Sequence, residues 1–193
     1  MNSIEQIKPA VSILRKNKVN YALLHCTNIY PTPPELVRLN CLNELKKNFK
    51  DAVVGLSDHT ESNFASYGAI ALGAKIIEKH YIDDKLRKGP DISCSMNPND
   101  LRNLITGSKV ISLASKPGKK MGLKEEKKTI NFAFASVVSV KNIFPGEKLS
   151  RDNIWVKRPG LGDFLAKDYK KLIGKKAKTK IKKDSFIKKI NLK

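Results

Sequence analysis

The stretch Ala52-Val-Val-Gly-Leu-Ser-Asp-His-Thr60 decides the fold. Its first five residues form an apolar run of strand length. Polar residues follow, and Asn63–Gly73 then carries the small residues of a closely packed helix. The same order recurs on either side: Tyr21-Ala-Leu-Leu24 leads into His25, and Lys75-Ile-Ile77 into Glu78-Lys-His80. All three histidines of the chain thus stand at or just past the end of such a run. Strands that alternate with helices pair in parallel, and parallel sheets and barrels bind ligands at the C-terminal ends of their strands. The spacing predicts three imidazoles converging on one site, as in an enzyme.

Working outward, Ile4, Ile7, Val11 and Leu14 recur at helical spacing, so the chain opens on an amphipathic helix over residues 3–17. The prolines of Asn28-Ile-Tyr-Pro-Thr-Pro-Pro34 exclude regular structure after the first strand. Glu35–Phe49 reads as helix, with Leu36, Leu39, Leu42 and Leu45 on one side. Lys75–Tyr81 reads as the third strand, and a polar loop runs from Ile82 to Pro98. Asn97-Pro-Asn-Asp100 opens a last helix reaching about Ala114. The composition then turns to Lys, Pro and Gly over Ser115–Thr129, as in a linker.

Beyond it the pattern is β. Phe132–Val140 and Ile154–Val156 read as strands, and Ile143-Phe-Pro-Gly-Glu-Lys-Leu149 is faintly echoed by Ile181-Lys-Lys-Asp-Ser-Phe-Ile187. The expected organisation is an α/β part over 1–116, a linker over 117–130 and a small β domain over 131–193. Three parallel strands do not close a (β/α)8 barrel, which takes about 250 residues. Their outer edges would be left bare, so the first part reads as the end of something larger.

The net charge is +20, from 38 basic and 18 acidic residues, and residues 170–193 carry eleven lysines against one acid, Asp184. Such an excess raises polyanions and anionic substrates as partners. Phe186 is the only aromatic residue of that tail, which lacks the stacking residues of a single-strand binder and argues against nucleic acid. A solvated lysine-rich surface is the plainer reading. Cys26, Cys41 and Cys94 are odd in number and lack CxxC spacing, so they form neither a disulfide framework nor a zinc cluster. The N-terminus lacks the basic start and apolar core of a signal peptide, and no stretch approaches the ~18 apolar residues of a membrane span. A cytoplasmic protein without membrane contact is expected.

His59 and His80 are 21 residues apart, one βα repeat, and neutral imidazole is the commonest transition-metal ligand. The competing reading is that each only caps its strand through hydrogen bonds. Cys26 beside His25 invites a Cys/His nucleophile, although buried small residues explain that pair more simply. Glu78 shares its strand face with His80 and is either a site carboxylate or a lysine's partner. Asp58 is expected to face away from His59. Gly55-Leu-Ser-Asp-His-Thr60 and Gly89-Pro-Asp-Ile-Ser-Cys-Ser-Met-Asn97 are polar strand-end loops suited to phosphates and sugar hydroxyls.

Taken in order, His25-Cys-Thr-Asn-Ile-Tyr-Pro-Thr-Pro33, Gly55-Leu-Ser-Asp-His-Thr60, Ile77-Glu-Lys-His80, Gly89-Pro-Asp91 and Lys157-Arg-Pro-Gly160 closely resemble the sialic acid synthase family. These enzymes make N-acetylneuraminate and related nonulosonates. The resemblance runs from about Tyr21 to the C-terminus. It implies a (β/α)8 barrel followed by an antifreeze-like β-clip (SAF) domain. It also implies a transferase that condenses phosphoenolpyruvate with an N-acetylated amino sugar, such as N-acetylmannosamine, and releases phosphate.

By motif position, His59 and His80 would hold a divalent ion, manganese or magnesium. Asn28 and Ser57 would help bind phosphoenolpyruvate, Tyr30 and Asp91 would bind the sugar, and Glu78 would handle protons. Arg158 would reach into a partner's barrel, making a domain-exchanged homodimer. The family's first four to five strands, with a catalytic glutamate and most phosphoenolpyruvate-gripping residues, have no counterpart in these 193 residues. The expectation is therefore a split, truncated or excised synthase, inactive alone and needing a separate chain that supplies the N-terminal barrel half. The alternative is a non-catalytic fragment serving as a basic sugar- or polyanion-binding module. Neuraminate, legionaminate and pseudaminate types share these motifs, so the sequence leaves the amino sugar and the metal open.

Overall fold

The computed structural model describes residues 1–193, which divide into two units, Met1–Gly118 and Lys119–Lys193. In the first unit the three apolar runs form one parallel sheet in the order β1-β2-β3. β1 (Ala22–Cys26) pairs with β2 (Val53–Asp58), setting Leu24 opposite Gly55 and Cys26 opposite Ser57. β2 pairs with β3 (Ile77–Lys79), setting Ser57 opposite Glu78 and Asp58 opposite Lys79.

Alternation along the strands gives the sheet two unlike faces. Leu23, Val54, Leu56 and Ile77 pack into a core with Val11, Leu42, Leu45, Phe49 and Ala69 from the helices. Leu24, Gly55, Ser57 and Glu78 face the other way. A Cβ at Gly55 would lie 2.4 Å from the Ile76 carbonyl oxygen and 2.5 Å from Leu24 Cδ2, so only glycine fits in that layer.

The helices are α1 (Ile4–Lys16), α2 (Cys41–Asn48), α3 (Phe64–Ala71) and α4 (Pro98–Ala114). Capping boxes start α1 and α4: Ser3 exchanges bonds with Gln6, and Asn97 with Asp100. Burying Leu42 and Phe49 fully contributes about 1.5–3 kcal/mol each. At the far end of the sheet from the histidines, Arg15 grips Asp51 through two bonds of 2.9 and 2.5 Å, and Tyr21 Oη donates to the same carboxylate at 2.9 Å.

The helix expected over Glu35–Phe49 is split. A 3-10 turn at Pro34–Leu36 is followed by Arg38 at φ 53°, and α2 begins only at Cys41. The reason is tertiary. Thr27 Oγ1 takes the Leu36 carbonyl at 3.0 Å and His25 Nε2 takes that of Val37 at 2.7 Å, so carbonyls a continuous helix would use are already engaged. The third strand is also shorter than expected, although Tyr81 bridges to Met96 beyond it.

In the second unit β4 (Ser136–Ser139) pairs antiparallel with β5 (Ile154–Lys157), and short helical segments include α6 (Tyr169–Leu172). The stretch 117–130 is not an irregular linker throughout: it holds a 3-10 turn at Lys124–Glu126 and the first residues of α5 (Lys127–Ala133). That helix also takes the residues expected to begin β4. Val137, Ile143, Leu149, Ile154, Leu172, Ala177, Ile181 and Ile187 form a separate core. The sequence echo is physical. Ile143 and Ile181 exchange both backbone bonds at 2.9 Å, and the fourth residue of each copy, Gly146 or Asp184, is left-handed at φ 86° or 58°.

Candidate active site

His59 follows β2 and His80 follows β3, so adjacent parallel strands deliver them side by side, with ring centroids 5.2 Å apart. Tyr30, from the loop after β1, completes the cluster at 4.1 Å from His59 and 5.8 Å from His80. That loop is tied to the end of β2: the Thr32 amide donates to the His59 carbonyl at 2.9 Å, and Thr32 Oγ1 donates to the carbonyls of Ile29 and Thr27 at 2.6 and 3.2 Å.

A carbonyl can only accept, so the 3.2 Å contact between His59 Nδ1 and the Thr27 carbonyl puts the proton on Nδ1. The Nε2 lone pair is then free for a ligand. His80's ring makes no hydrogen bond within the chain. Two neighbouring imidazoles, one with its tautomer fixed, fit a divalent ion. No third His, Cys, Asp or Glu joins them in a ligand cluster, so further ligands would be oxygens of water or substrate.

His25 does not converge with the other two, against the reading of the strand ends. It lies within β1 and not past its end, one residue out of phase with Cys26. Its Nε2 donates to the Val37 carbonyl on the helix side of the sheet, and burial pulls its pKa below the ordinary histidine value. Cys26 has the site-facing phase instead. Its thiol donates to Asn28 Oδ1 at 2.7 Å and lies 3.9 Å from His59 Nδ1.

Ser57 and Glu78 are register partners on the open face, and Ser57 Oγ donates to Glu78 Oε1 at 2.7 Å. Asp91 is left-handed at φ 62°, and its carbonyl is held by Ser95 Oγ at 2.7 Å and Cys94 Sγ at 3.2 Å. Its carboxylate accepts no bond from the chain. Desolvation raises the Tyr30 phenol above its ordinary value, and the thiol of Cys26 and the charge of Asp91 raise it further. Asn28, Tyr30, Ser57, His59, Glu78, His80 and Asp91 thus all belong to the C-terminal end of one sheet and its loops.

Arg158 belongs to the second unit, exposed just past β5, on a cis peptide bond to Pro159. Its turn is anchored by Ser136 Oγ, which donates to the Pro159 carbonyl at 2.8 Å and accepts from the Gly162 amide at 2.8 Å.

Sequence reasoning missed the polar set on the helix side of the same strand ends. Lys79 and Asp58 form a buried ion pair at 3.2 Å. Burial pulls the Lys79 ammonium below its ordinary value, and Asp58 opposes that shift. The signal was in the register, which the sequence alone does not display.

A parallel α/β unit with a His–His–Tyr cluster at its strand ends, followed by a separate antiparallel β unit, defines an enzyme-type domain joined to a small β domain. The chain belongs to the NeuB family, whose model matches residues 1–120, and a SAF domain matches residues 134–193. It is 40% identical over 190 residues to the N,N'-diacetyllegionaminic acid synthase of Campylobacter jejuni, covering 97% of this chain and 56% of that one. It is 32% identical to the N-acetylneuraminate-9-phosphate synthase of Homo sapiens, covering 97% and 52%.

Among solved structures, the N-acetylneuraminic acid synthetase of Leptospira borgpetersenii, crystallised with citrate, superposes with a TM-score of 0.62 at 34% identity. That match covers 67% of this chain and 45% of that one. The chain spans about half the length of the curated relatives it matches. No helix is long and apolar enough to cross a membrane.

Proposed function

We propose that this chain forms the C-terminal part of a (β/α)8-barrel synthase that joins phosphoenolpyruvate to an N-acetylated amino sugar, giving a nonulosonate and phosphate. The observation that carries the reading is the convergence of Tyr30, His59 and His80 at the ends of β2 and β3, beside the Ser57–Glu78 pair. In this reading carbon 3 of the enol attacks the open-chain aldehyde of the sugar, water adds at carbon 2, and phosphate leaves by C–O cleavage.

A manganese or magnesium ion held by His59 and His80 would supply Lewis-acid polarisation of the aldehyde. Tyr30 gives the sugar a face to pack on, and the unpaired Asp91 carboxylate accepts hydrogen bonds from its hydroxyls. Asn28 and Ser57 contact phosphoenolpyruvate. Glu78, held by Ser57, moves a proton at the reacting carbons. Arg158 contacts the sugar in a partner's barrel, within a domain-exchanged homodimer.

Two features support a barrel completed by further polypeptide. β1 and β3 each pair on one side only, and a groove of about 930 Å³ runs along the free edge of β1, lined by Leu24, Cys26, Asn28 and the start of α1. An edge left in this state invites another strand.

The test is phosphate release from phosphoenolpyruvate with N-acetylmannosamine and manganese, for the chain alone and mixed with a polypeptide supplying the other barrel strands. Activity only in the mixture is the expected result. Silence in a folded mixture, across N-acetylmannosamine and the legionaminate- and pseudaminate-type sugars, would favour the basic binding module, which the eleven lysines of residues 170–193 support.

A further inference from the structure

The strands that deliver the two imidazoles are tied together by a second set of polar groups on the opposite face. Asp58 and Lys79 are register partners, each one residue before a histidine of the cluster. Successive strand residues face opposite sides, so the pair points into the helical layer. Both side chains are fully enclosed, at 0% and 1% exposure, with Lys79 Nζ 3.2 Å from Asp58 Oδ2. Lys79 also donates to the Thr60 carbonyl. Ser66 Oγ, from α3, donates to Asp58 Oδ2 at 2.6 Å, and the Thr60 amide donates to Oδ1 at 2.8 Å. No buried side-chain polar atom is left without a partner.

Stability alone does not explain this arrangement. A buried ion pair pays heavy desolvation, and a well-packed apolar pair of the same volume is commonly as stable or more so. What directional bonds add is geometry. The Asp58 carboxylate fixes the backbone on both sides of His59, through its own strand position and through Thr60. Lys79 fixes that same segment to β3 one residue before His80. The bonds therefore span the two peptides whose relative position sets the spacing of the imidazoles.

We propose that Asp58 and Lys79, braced by Ser66, are positioning residues that set the His59–His80 geometry and hence the divalent-cation affinity of the site. The proposal rests on the reading of the two histidines as cation ligands.

The experiment is Mn2+ binding by electron paramagnetic resonance titration, with urea denaturation run in parallel, on the full chain mixed with the polypeptide completing the barrel. The apolar double variant Asp58→Leu/Lys79→Met is expected to keep its unfolding midpoint and to bind Mn2+ about 10–100-fold more weakly, the usual range for groups that orient metal ligands. The hydrogen-bonding double variant Asp58→Asn/Lys79→Gln is expected to recover most of the affinity. Ser66→Ala, which deletes a single oxygen, is expected to keep its unfolding midpoint and to weaken binding several-fold, and it carries the test if the double variants do not fold.

Wild-type affinity in folded Asp58→Leu/Lys79→Met, or in Ser66→Ala when that double variant does not fold, would overturn the proposal. Loss of midpoint and affinity together in Ser66→Ala would overturn it too, by showing a purely structural role. His59→Ala separates the two levels: Mn2+ binding that survives that substitution would refute the cation-site reading itself.

Discussion

His25 and His59 each give a ring proton to a backbone carbonyl, yet the two bonds do different work. The bond from His59 Nδ1 to Thr27 leaves Nε2 free at the open end of the sheet, while the bond from His25 Nε2 to Val37 anchors the loop after β1 on the helix side. Burial lowers the pKa of His25 in the folded state. The unfolded chain therefore takes up a proton first as pH falls below the ordinary histidine value of about 6.5. Stability should be complete above that pH and decline below it, and His25→Gln should flatten this dependence in melts recorded from pH 7.5 to 5.5. On the open face, Glu78→Gln preserves the shape of the Ser57 contact but removes a proton acceptor. It should lower kcat of the completed synthase about 100-fold with little change in KM, as steady-state phosphate release would show. The pairing of His59 with His80 was legible because both follow strand-length runs one repeat apart. Tyr30 was legible through its motif alone, since nothing in a proline-rich loop says which way it folds.

At the scale of elements, β2 is the strand on which the site depends, and Gly55 is its tightest point. Gly55→Ala would drive a methyl group into Leu24 and into the Ile76 carbonyl, a backbone atom that cannot move without disturbing the β2–β3 pairing. It should cost about 1–3 kcal/mol in urea denaturation by overpacking. At the opposite end of the sheet, Arg15 holds the Asp51 carboxyl well below the usual carboxylate range. Its folded pKa is lower than its unfolded one, so its contribution is present above about pH 3.9 and lost as the pH falls further. Asp51→Asn should lower the melting temperature at pH 7, and the gap should close in acid. Helix starts were legible at α1 from the spacing of Ile4, Ile7, Val11 and Leu14, and at α4 from Asn97-Pro-Asn-Asp100. The break at Arg38 was not. Its leucines recur at helical spacing, and the carbonyls that interrupt the helix are claimed by Thr27 and His25, residues outside the window that any periodicity can see.

At the scale of the molecule, the two units have separate cores. Residues 119–193, expressed alone, should unfold in a single sigmoidal transition in urea and give dispersed amide resonances. A molten profile would show that the Val137–Ile187 core depends on the rest of the chain. The division into an α/β part and a β part was legible from the change of pattern after Ala114. The helical start of the second unit was not, because Lys124–Ala133 is rich in charge and offers no apolar stripe to read. The echo between Ile143–Leu149 and Ile181–Ile187 carries one more consequence. The two copies lie 38 residues apart by numbering (181 − 143), and each supplies the other's backbone partners at Ile143 and Ile181. The two loops thus clasp each other as two chains might, but because they belong to one polypeptide their pairing is indifferent to dilution.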